Sequence, residues 1–111
     1  MSRVVFATLG LSLLASSTHA DQVVRAAWYG NELRGHRTAR EVFNPDGLTA
    51  ARRSLPLGTC LVVGNPRNGK SVAVRVNDRG PFTAGLSLDL SSGAARAIGM
   101  RSTESVTMRR C

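Results

Sequence analysis

The sequence has little of the chemistry that thiol and metal enzymes require. It contains two cysteines, Cys60 and Cys111, and no Cys-x-x-Cys pair. Cys60 has no acid or histidine nearby in sequence, which argues against a cysteine-ligated metal centre or a catalytic thiol. We therefore expect no metal site and no cofactor. Internal repeats and low-complexity linkers are also lacking, and a chain of 111 residues is long enough for one small domain with a thin core.

Long apolar runs are scarce as well. Val4 to Ala15 is apolar but too short to span a bilayer, and no other segment is apolar enough to cross one. Arg3 precedes this run and small residues follow it, a pattern typical of a secretory signal peptide with cleavage after Ala20. The alternative is a buried N-terminal helix. We expect residues 1–20 to be the signal peptide, residues 21–111 the folded domain, and the protein to be periplasmic or secreted.

No cysteine lies beside the expected cleavage point, so a lipoprotein anchor is not expected. The two cysteines lie in the exported part, where an even number favours a disulfide. A Cys60–Cys111 bond would pin the C-terminal strand to the rest of the domain. By loop entropy it would stabilise the fold by about 4 kcal/mol.

Acidic residues are outnumbered. Fifteen lysines and arginines face seven acids, for a formal net charge of +8. Loss of residues 1–20 removes only Arg3 among the charged residues and leaves +7; Lys70 is the single lysine of the sequence. So basic a domain favours an anionic partner, which outside the cytoplasm means cell-wall polymer or a membrane surface rather than nucleic acid. The alternative is a solvated arginine surface with no partner. We expect a monomer.

Short β-strands dominate the predicted secondary structure. Asn68-Gly69 predicts a hairpin turn, and Asn44-Pro45-Asp46-Gly47 marks a turn within a long surface loop over residues 30–47. Ser91 should cap a short helix over residues 92–98, which Gly99 ends. Strands are predicted over residues 22–29, 59–63, 71–76 and 105–108, with a short apolar segment over 86–90. This pattern indicates a small closed β-barrel.

Asp78 is the first candidate for chemistry. An alternating strand, Val72 to Val76, runs into Asn77-Asp78 and then a Gly80-Pro81 turn. This order places a carboxylate at the end of a strand, where a groove can use it. The alternative is that Asp78 only accepts hydrogen bonds from neighbouring N–H groups in the turn.

These residues belong to a longer series of motifs that resembles a known family. The chain resembles the RlpA-like family (rare lipoprotein A, septal-ring lytic transglycosylases) over about residues 25–108. The resemblance implies a mainly β fold, a six-stranded double-psi β-barrel with one or two short helices. Its motifs are Ala27-Trp28-Tyr29-Gly30, Glu41-Val42-Phe43-Asn44, Leu48-Thr49-Ala50-Ala51, Leu55-Pro56-Leu57-Gly58-Thr59, Arg75-Val76-Asn77-Asp78-Arg79-Gly80-Pro81-Phe82 and Asp89-Leu90-Ser91.

The resemblance implies an enzyme that cleaves MurNAc–GlcNAc bonds of peptidoglycan glycan strands and leaves a 1,6-anhydro-MurNAc end. It assigns the acidic pair to Glu41 and Asp78. Such chemistry needs a carboxylic acid to protonate the leaving oxygen, an anion near the developing positive charge, and a base for the C6 hydroxyl. We expect Asp78 to act as acid and then base, and Glu41 to orient the sugar or stabilise charge.

Four further residues are expected to bind substrate: Tyr29, Arg52, Asn77 and Arg79. Of the two neighbouring aromatics, Trp28 and Tyr29, we expect one to pack in the core and the other to line the groove. Asp89 is interpreted as holding the start of the helix or making a buried polar contact.

The chain departs from the family pattern at several positions. Arg52 stands where the family has a histidine, the loop before Glu41 is one residue shorter and lacks a glycine, and Leu86 replaces an arginine. His36, the histidine remaining after signal cleavage, is expected to be exposed. These departures favour an alternative, a non-catalytic expansin-like module that binds peptidoglycan or another polysaccharide. A weaker alternative is a secreted basic effector or inhibitor.

Overall fold

Short strands separated by turns make up most of residues 21–111, the part of the chain that the computed structural model describes. The signal-peptide prediction for residues 1–20 lies outside the described residues. Within residues 21–111 no helix is long and apolar enough to cross a membrane. The elements in order are β1 (Gln22–Tyr29), a 3-10 helix (Asn31–Leu33), β2 (Thr49–Ala51), β3 (Cys60–Gly64), β4 (Ser71–Asp78), β5 (Leu88–Ser91), α1 (Ser92–Ala97) and β6 (Glu104–Arg110).

The six strands close into a barrel in the order β1-β5-β2-β4-β3-β6. Two pairs are parallel, β1 with β5 and β2 with β4. The other four pairs are antiparallel. The sheet is therefore mixed, and because the barrel is closed, each of the six strands pairs with a neighbour on both sides. The expectation of a mainly β, closed six-stranded barrel is confirmed.

Alternation along the strands directs one set of side chains into the barrel. In β4, for example, Val74 and Val76 are buried while Ala73 is exposed. Helix α1 adds Ala94 and Ala95 to the core, and Ile98 follows directly after it. The buried apolar set comprises Ala26, Ala50, Leu61, Val63, Val74, Val76, Leu88, Leu90, Ala94, Ala95, Ile98, Met100, Val106 and Met108.

The helix start packs tightly against the loop that precedes β2. Ser91 caps α1 as predicted, its hydroxyl accepting from the Ala94 N–H at 3.3 Å. A Cβ atom added at Gly93 would lie 2.7 Å from the Asp46 carbonyl oxygen, so only glycine fits there without movement. The contact fixes the long loop against the end of β5.

Strand β2 was not predicted, and it has three residues. Thr49, Ala50 and Ala51 are small, so they lack the bulky alternation by which strands are recognised in sequence.

The hairpin at Asn68-Gly69 also differs in detail. Gly69 alone has positive φ, and the turn is longer, because the Asn65 N–H donates to the Lys70 carbonyl at 2.8 Å.

The predicted disulfide is present. Cys60 begins β3 and Cys111 follows β6, with their Cα atoms 5.4 Å apart. The Cys111 N–H also donates to the Cys60 carbonyl at 3.1 Å. The C-terminal residue is thus tied to the barrel wall beside Arg75, the β4 partner of Cys60.

Candidate active site

An open hollow of about 310 Å³ lies at one end of the barrel, where β1 and β4 end. A volume of this size falls within the range typical of small-molecule sites, about 300–1,000 Å³. Two carboxyl groups and one phenol face it. Its lining residues are Tyr29, Leu33, Ala51, Asp78, Arg79, Gly80, Pro81, Phe82, Thr83 and Asp89.

Asp78 is the last residue of β4 and lies at the rim of the hollow, partly exposed. Its Oδ1 accepts from the backbone N–H groups of Ala39 at 3.0 Å and Arg79 at 2.9 Å. The pairing of β4 with β2 shifts register here, since Ala50 pairs with Val76 but Ala51 pairs with Asp78. Such an irregularity re-aims the side chains at the end of a strand. Asp78 therefore does both things considered for it: it accepts hydrogen bonds from N–H groups of nearby loops, and it lines a groove.

Asp89 faces the same hollow from β5, and its part in the site was missed at the sequence level. Ala51 pairs with Asp78 on one side and with Asp89 on the other. Two strand spacings separate the two aspartates, so their Cα atoms lie about 10 Å apart. Burial raises the pKa of Asp89 from its ordinary 3.8 to about 6. The one available signal was a carboxylate inside the apolar run Leu88-Asp89-Leu90.

The Tyr29 phenol lines the same hollow as the two acids. Its hydroxyl is buried and has no hydrogen-bond partner within residues 21–111. Burial raises the pKa of Tyr29, and the charges of Asp89 and Asp78 raise it further. The ring packs against Phe43 with centroids 4.8 Å apart. The hydroxyl is thus a neutral, buried donor without a partner within residues 21–111.

Glu41 lies beside this hollow rather than among its lining residues. Arg75 holds it in a bidentate ion pair, with nitrogen–oxygen distances of 2.9 and 3.0 Å, and Asn77 Nδ2 donates to it at 3.4 Å. The hydrogen bond from Arg75 is the main reason that the pKa of Glu41 is lowered. Glu41 is therefore a carboxylate near neutral pH, suited to holding charge and geometry and unsuited to donating a proton.

A four-residue turn links Glu41 to Asp78. Thr38 Oγ1 accepts from the Arg40 and Glu41 N–H groups, and the Thr38 N–H donates to the Glu41 carbonyl at 2.8 Å. This shortened turn presents the Ala39 N–H to Asp78 while Glu41 reaches Arg75. The missing loop residue therefore does not detach Glu41 from the end of β4.

The predicted substrate-binding residues divide between the hollow and its surroundings. Tyr29 and Arg79 line it, and Arg79 Nη1 also donates to the Leu55 carbonyl at 2.7 Å. Asn77 is buried beneath Glu41, and its Oδ1 has no partner within residues 21–111. Arg52 Nη1 instead donates to the Ser87 carbonyl at 2.9 Å, and burial lowers the pKa of Arg52. Arg52 therefore braces the loop that contains Ser87.

The remaining aromatic and histidine expectations have mixed outcomes. Tyr29 lines the hollow as one of the two aromatics should, but Trp28 is 43% exposed and does not pack in the core. Trp28 lines a separate hollow beside α1, because neighbouring strand residues point to opposite faces. His36 is exposed, as predicted. Within the described part of the chain, no three potential metal ligands lie together.

Comparison with known proteins gives the family. A family model described as "Lytic transglycolase" matches residues 21–109. The chain is 61% identical over 79 residues to a protein of Synechocystis sp. named "Probable endolytic peptidoglycan transglycosylase RlpA", covering 70% of this chain and 25% of that protein. It is 45% identical over 85 residues to the "Endolytic peptidoglycan transglycosylase RlpA" of Campylobacter jejuni, covering 76% and 31%. The chain thus spans a quarter to a third of the length of these relatives.

Two solved structures share the fold. An expansin of Clavibacter michiganensis superposes with a TM-score of 0.64 at 24% identity, covering 83% of this chain and 50% of that one. A Streptomyces papain inhibitor superposes with a TM-score of 0.62 at 16% identity, covering 82% and 94%. At these identities the likeness extends to the barrel and no further. With the match over residues 21–109, the chain belongs to the lytic transglycolase family of double-psi β-barrels.

Proposed function

We propose that this protein is a lytic transglycosylase that cleaves MurNAc–GlcNAc bonds in peptidoglycan glycan strands, outside the cytoplasm. The observation that supports this most is the pairing of Ala51 with both Asp78 and Asp89, which sets two carboxyl groups on either side of one hollow. The names of the relatives supply the substrate class, peptidoglycan.

The proton donor in this proposal is Asp89. A carboxyl with a pKa of about 6 is still partly protonated near neutral pH, as a general acid must be. It gives its proton to the glycosidic oxygen as the bond from that oxygen to C1 of MurNAc breaks. The sugar carbon then carries developing positive charge, which the Asp78 carboxylate offsets across the hollow.

The C6 hydroxyl of the same sugar then attacks C1 and closes the 1,6-anhydro ring. Asp78 accepts the proton that this hydroxyl loses, and exchange with solvent restores both carboxyl groups. Asp78 thus keeps the base role predicted for it, while the acid role passes to Asp89. Glu41 acts as a positioning residue, because it orders the turn whose Ala39 N–H holds Asp78.

The test is digestion of peptide-stripped peptidoglycan by the purified protein, read by mass spectrometry. We expect products ending in 1,6-anhydro-MurNAc from the parent, and a rate lower by about 10²–10⁴-fold for Asp78→Asn. Asp46→Asn is the matched control, since Asp46 is an exposed aspartate that pairs with Arg34 and Arg96 away from the hollow. Equal rates for parent and Asp78→Asn would contradict the proposal.

A second candidate is a binding module that holds the glycan without cutting it. The observation that favours it is Arg52, which occupies the position where a histidine is expected and is committed to the Ser87 carbonyl. Glycan strands that stay intact yet retain the protein in a pull-down would establish this candidate. Arg52→His would then restore cleavage if the missing imidazole is the cause.

A further inference from the structure

A hollow of about 160 Å³ lies beside α1, apart from the candidate active site. It is lined by Trp28, Ser92, Ala95, Arg96 and Met100. The next residue of β1, Tyr29, lines the hollow of Asp78 and Asp89 instead, because neighbouring strand residues point to opposite faces. The hollow beside α1 is smaller than whole small-molecule sites, which measure about 300–1,000 Å³, so it suits one group of a larger ligand.

Trp28 is the single tryptophan of the sequence, and 43% of its surface is exposed. On the same side of β1, Ala26 is fully buried, and so is Leu90, the β5 partner of Trp28. The indole therefore extends past the core where the strand ends. An exposed indole is a stacking surface for a pyranose, because the C–H groups on the face of a sugar ring make apolar and dispersion contacts with aromatic carbon.

The deeper part of the hollow is apolar and held in place by the end of α1. Gly99 has a φ of +64°, which turns the chain back after the helix. The Met100 N–H then donates to the Ala95 carbonyl at 2.9 Å, which fixes Met100 beside the helix. Ala95 and Met100 are both buried, so the hollow presents a methyl group and a thioether to whatever enters it. Such a surface suits a methyl group of a ligand.

Arg96 adds oriented hydrogen-bond donors to the same hollow. Its Nη2 donates to Asp46 Oδ1 at 3.0 Å, while the other oxygen of Asp46 accepts from Arg34 at 3.2 Å. The ion pair orients the Arg96 guanidinium, and its side chain is still 65% exposed. A guanidinium has five N–H donors, so the contact with Asp46 leaves others for a ligand. A neutral carbonyl oxygen is a suitable acceptor for them.

The apolar surface around Trp28 is small. The other exposed large apolar residues of the described chain, Val23, Val42, Leu48 and Phe82, do not line this hollow. A stable protein interface needs a much wider continuous surface, about 800 Å² on each partner. A sugar needs only one aromatic ring with hydrogen-bonding groups beside it, and Trp28 with Arg96 supplies both. The surface therefore favours a sugar over a protein partner.

We propose that the hollow beside α1 is a second glycan-binding site, which takes an N-acetylated sugar. The pyranose ring lies on Trp28, the acetamido methyl enters the hollow beside Ala95 and Met100, and Arg96 donates to the acetamido carbonyl. The choice of sugar rests on the proposed function, since MurNAc and GlcNAc both carry an acetamido group. The site holds the protein on the cell wall and takes no part in cleavage.

The test is a titration followed by tryptophan fluorescence, which reports directly on Trp28 because the chain has no other tryptophan. The purified protein is titrated with chitotetraose, a tetramer of GlcNAc, and with cellotetraose, a tetramer of glucose that has no acetamido group. Neither contains MurNAc, so the proposed cleavage does not consume them. We expect a saturable change in emission with chitotetraose, and a dissociation constant about tenfold higher for cellotetraose. Equal dissociation constants would overturn the acetamido assignment.

Three variants locate the binding. Arg96→Gln should raise the dissociation constant of chitotetraose by about tenfold and leave that of cellotetraose unchanged. Arg110→Gln, which removes another exposed arginine, should change neither. Phe82→Ala alters a residue that lines the candidate active site, and it should leave the titration of Trp28 unchanged. If Phe82→Ala weakened binding as much as Arg96→Gln, the emission would report glycan in the active site, and the second site would be overturned.

The second site and the proposed function can fail separately. No change in emission up to about 10 mM of either sugar would overturn the second site. Cleavage of peptidoglycan by the same protein would then leave the proposed function standing. Saturable binding of chitotetraose at Trp28 by a protein that cleaves no glycan would retain the second site and overturn the proposed function.

Discussion

Asp89 and Glu41 are carboxyl groups in contrasting parts of one small domain. Asp89 belongs to a barrel strand, has apolar leucines on both sides in sequence, and has a pKa raised to about 6 by burial. Glu41 belongs to a loop, is gripped by Arg75, and has a lowered pKa. Asp89 is therefore suited to carry a proton and Glu41 to stay ionised. The two pKa values differ because Asp89 is buried without a charged partner, whereas Glu41 is paired with a cation.

The comparison also shows where each kind of carboxyl is most easily built. A strand inside a closed barrel is surrounded by neighbours, so an acid there loses water without gaining a partner. A loop outside the barrel leaves room for a long arginine side chain to reach it. Sheet and loop thus contribute different chemistry to the same end of the molecule.

The largest expected effect comes from Asp89→Asn. Activity should fall by about 10²–10⁴-fold, because an amide cannot donate the proton. The free energy of unfolding should instead increase. The raised pKa of Asp89 means that its favourable contribution is present at low pH and is lost as pH rises through about 6. At pH 7 the substitution should therefore stabilise the fold by about 1 kcal/mol in urea unfolding, a modest value because solvent still reaches the group.

The pH profile checks the same residue without a substitution. Cleavage by the parent should fall above pH 6, approaching about tenfold per pH unit as Asp89 loses its proton. A rate that stays flat from about pH 5 to 8 would contradict Asp89 as the acid. So would an Asp89→Asn variant that is both active and less stable than the parent.

Removal of the disulfide tests whether the part of the barrel around Glu41 and the part around Asp89 can lose stability independently. The Cys60→Ser, Cys111→Ser protein should lose about 4 kcal/mol of unfolding free energy, since the bond closes a loop with a sequence separation of 51. Cys60 pairs with Arg75, so the loss should fall first on the Glu41 side. Hydrogen exchange should accelerate in β3 and β6 before β5. Uniform acceleration of exchange across all strands would show that the two parts of the barrel unfold together.

The smallest effect is expected for Glu41→Gln. The ion pair is more than one-third exposed on both side chains, so its removal should cost about 0.5 kcal/mol of stability. That contribution is present above the ordinary pKa of glutamate and is lost as pH falls below it, because pairing lowers the pKa. Activity should fall by less than about tenfold, as for a misplaced positioning group.

A double-mutant cycle with Arg75→Gln sharpens the last prediction. If Glu41 acts only through its partner, the two substitutions together should cost no more than either one alone. A loss of activity in Glu41→Gln as large as that in Asp89→Asn would mean that Glu41 touches the substrate. The contrast drawn between the two carboxyl groups would then be wrong.

Local signals in the sequence predicted much of the fold. The bounds of β1 and the Ser91 cap agree with the structure, because each depends on neighbouring residues. Strand β2 escaped because it is short and made of small residues. Its pairing with both β4 and β5 is what brings Asp78 and Asp89 together, and such long-range register leaves no mark on either segment. Asp89 could therefore be suspected from its apolar neighbours but not placed.

Ala51 has no functional group, yet it separates the two aspartates. Its methyl group lines the hollow between the strands of the two acids, and Ala51 itself is only 4% exposed. In terms of mutational tolerance, Ala51 should behave like a site residue: a larger side chain would push up between the acids while the barrel stays folded. Ala51 is thus a chemically inert residue whose small size is required by the site.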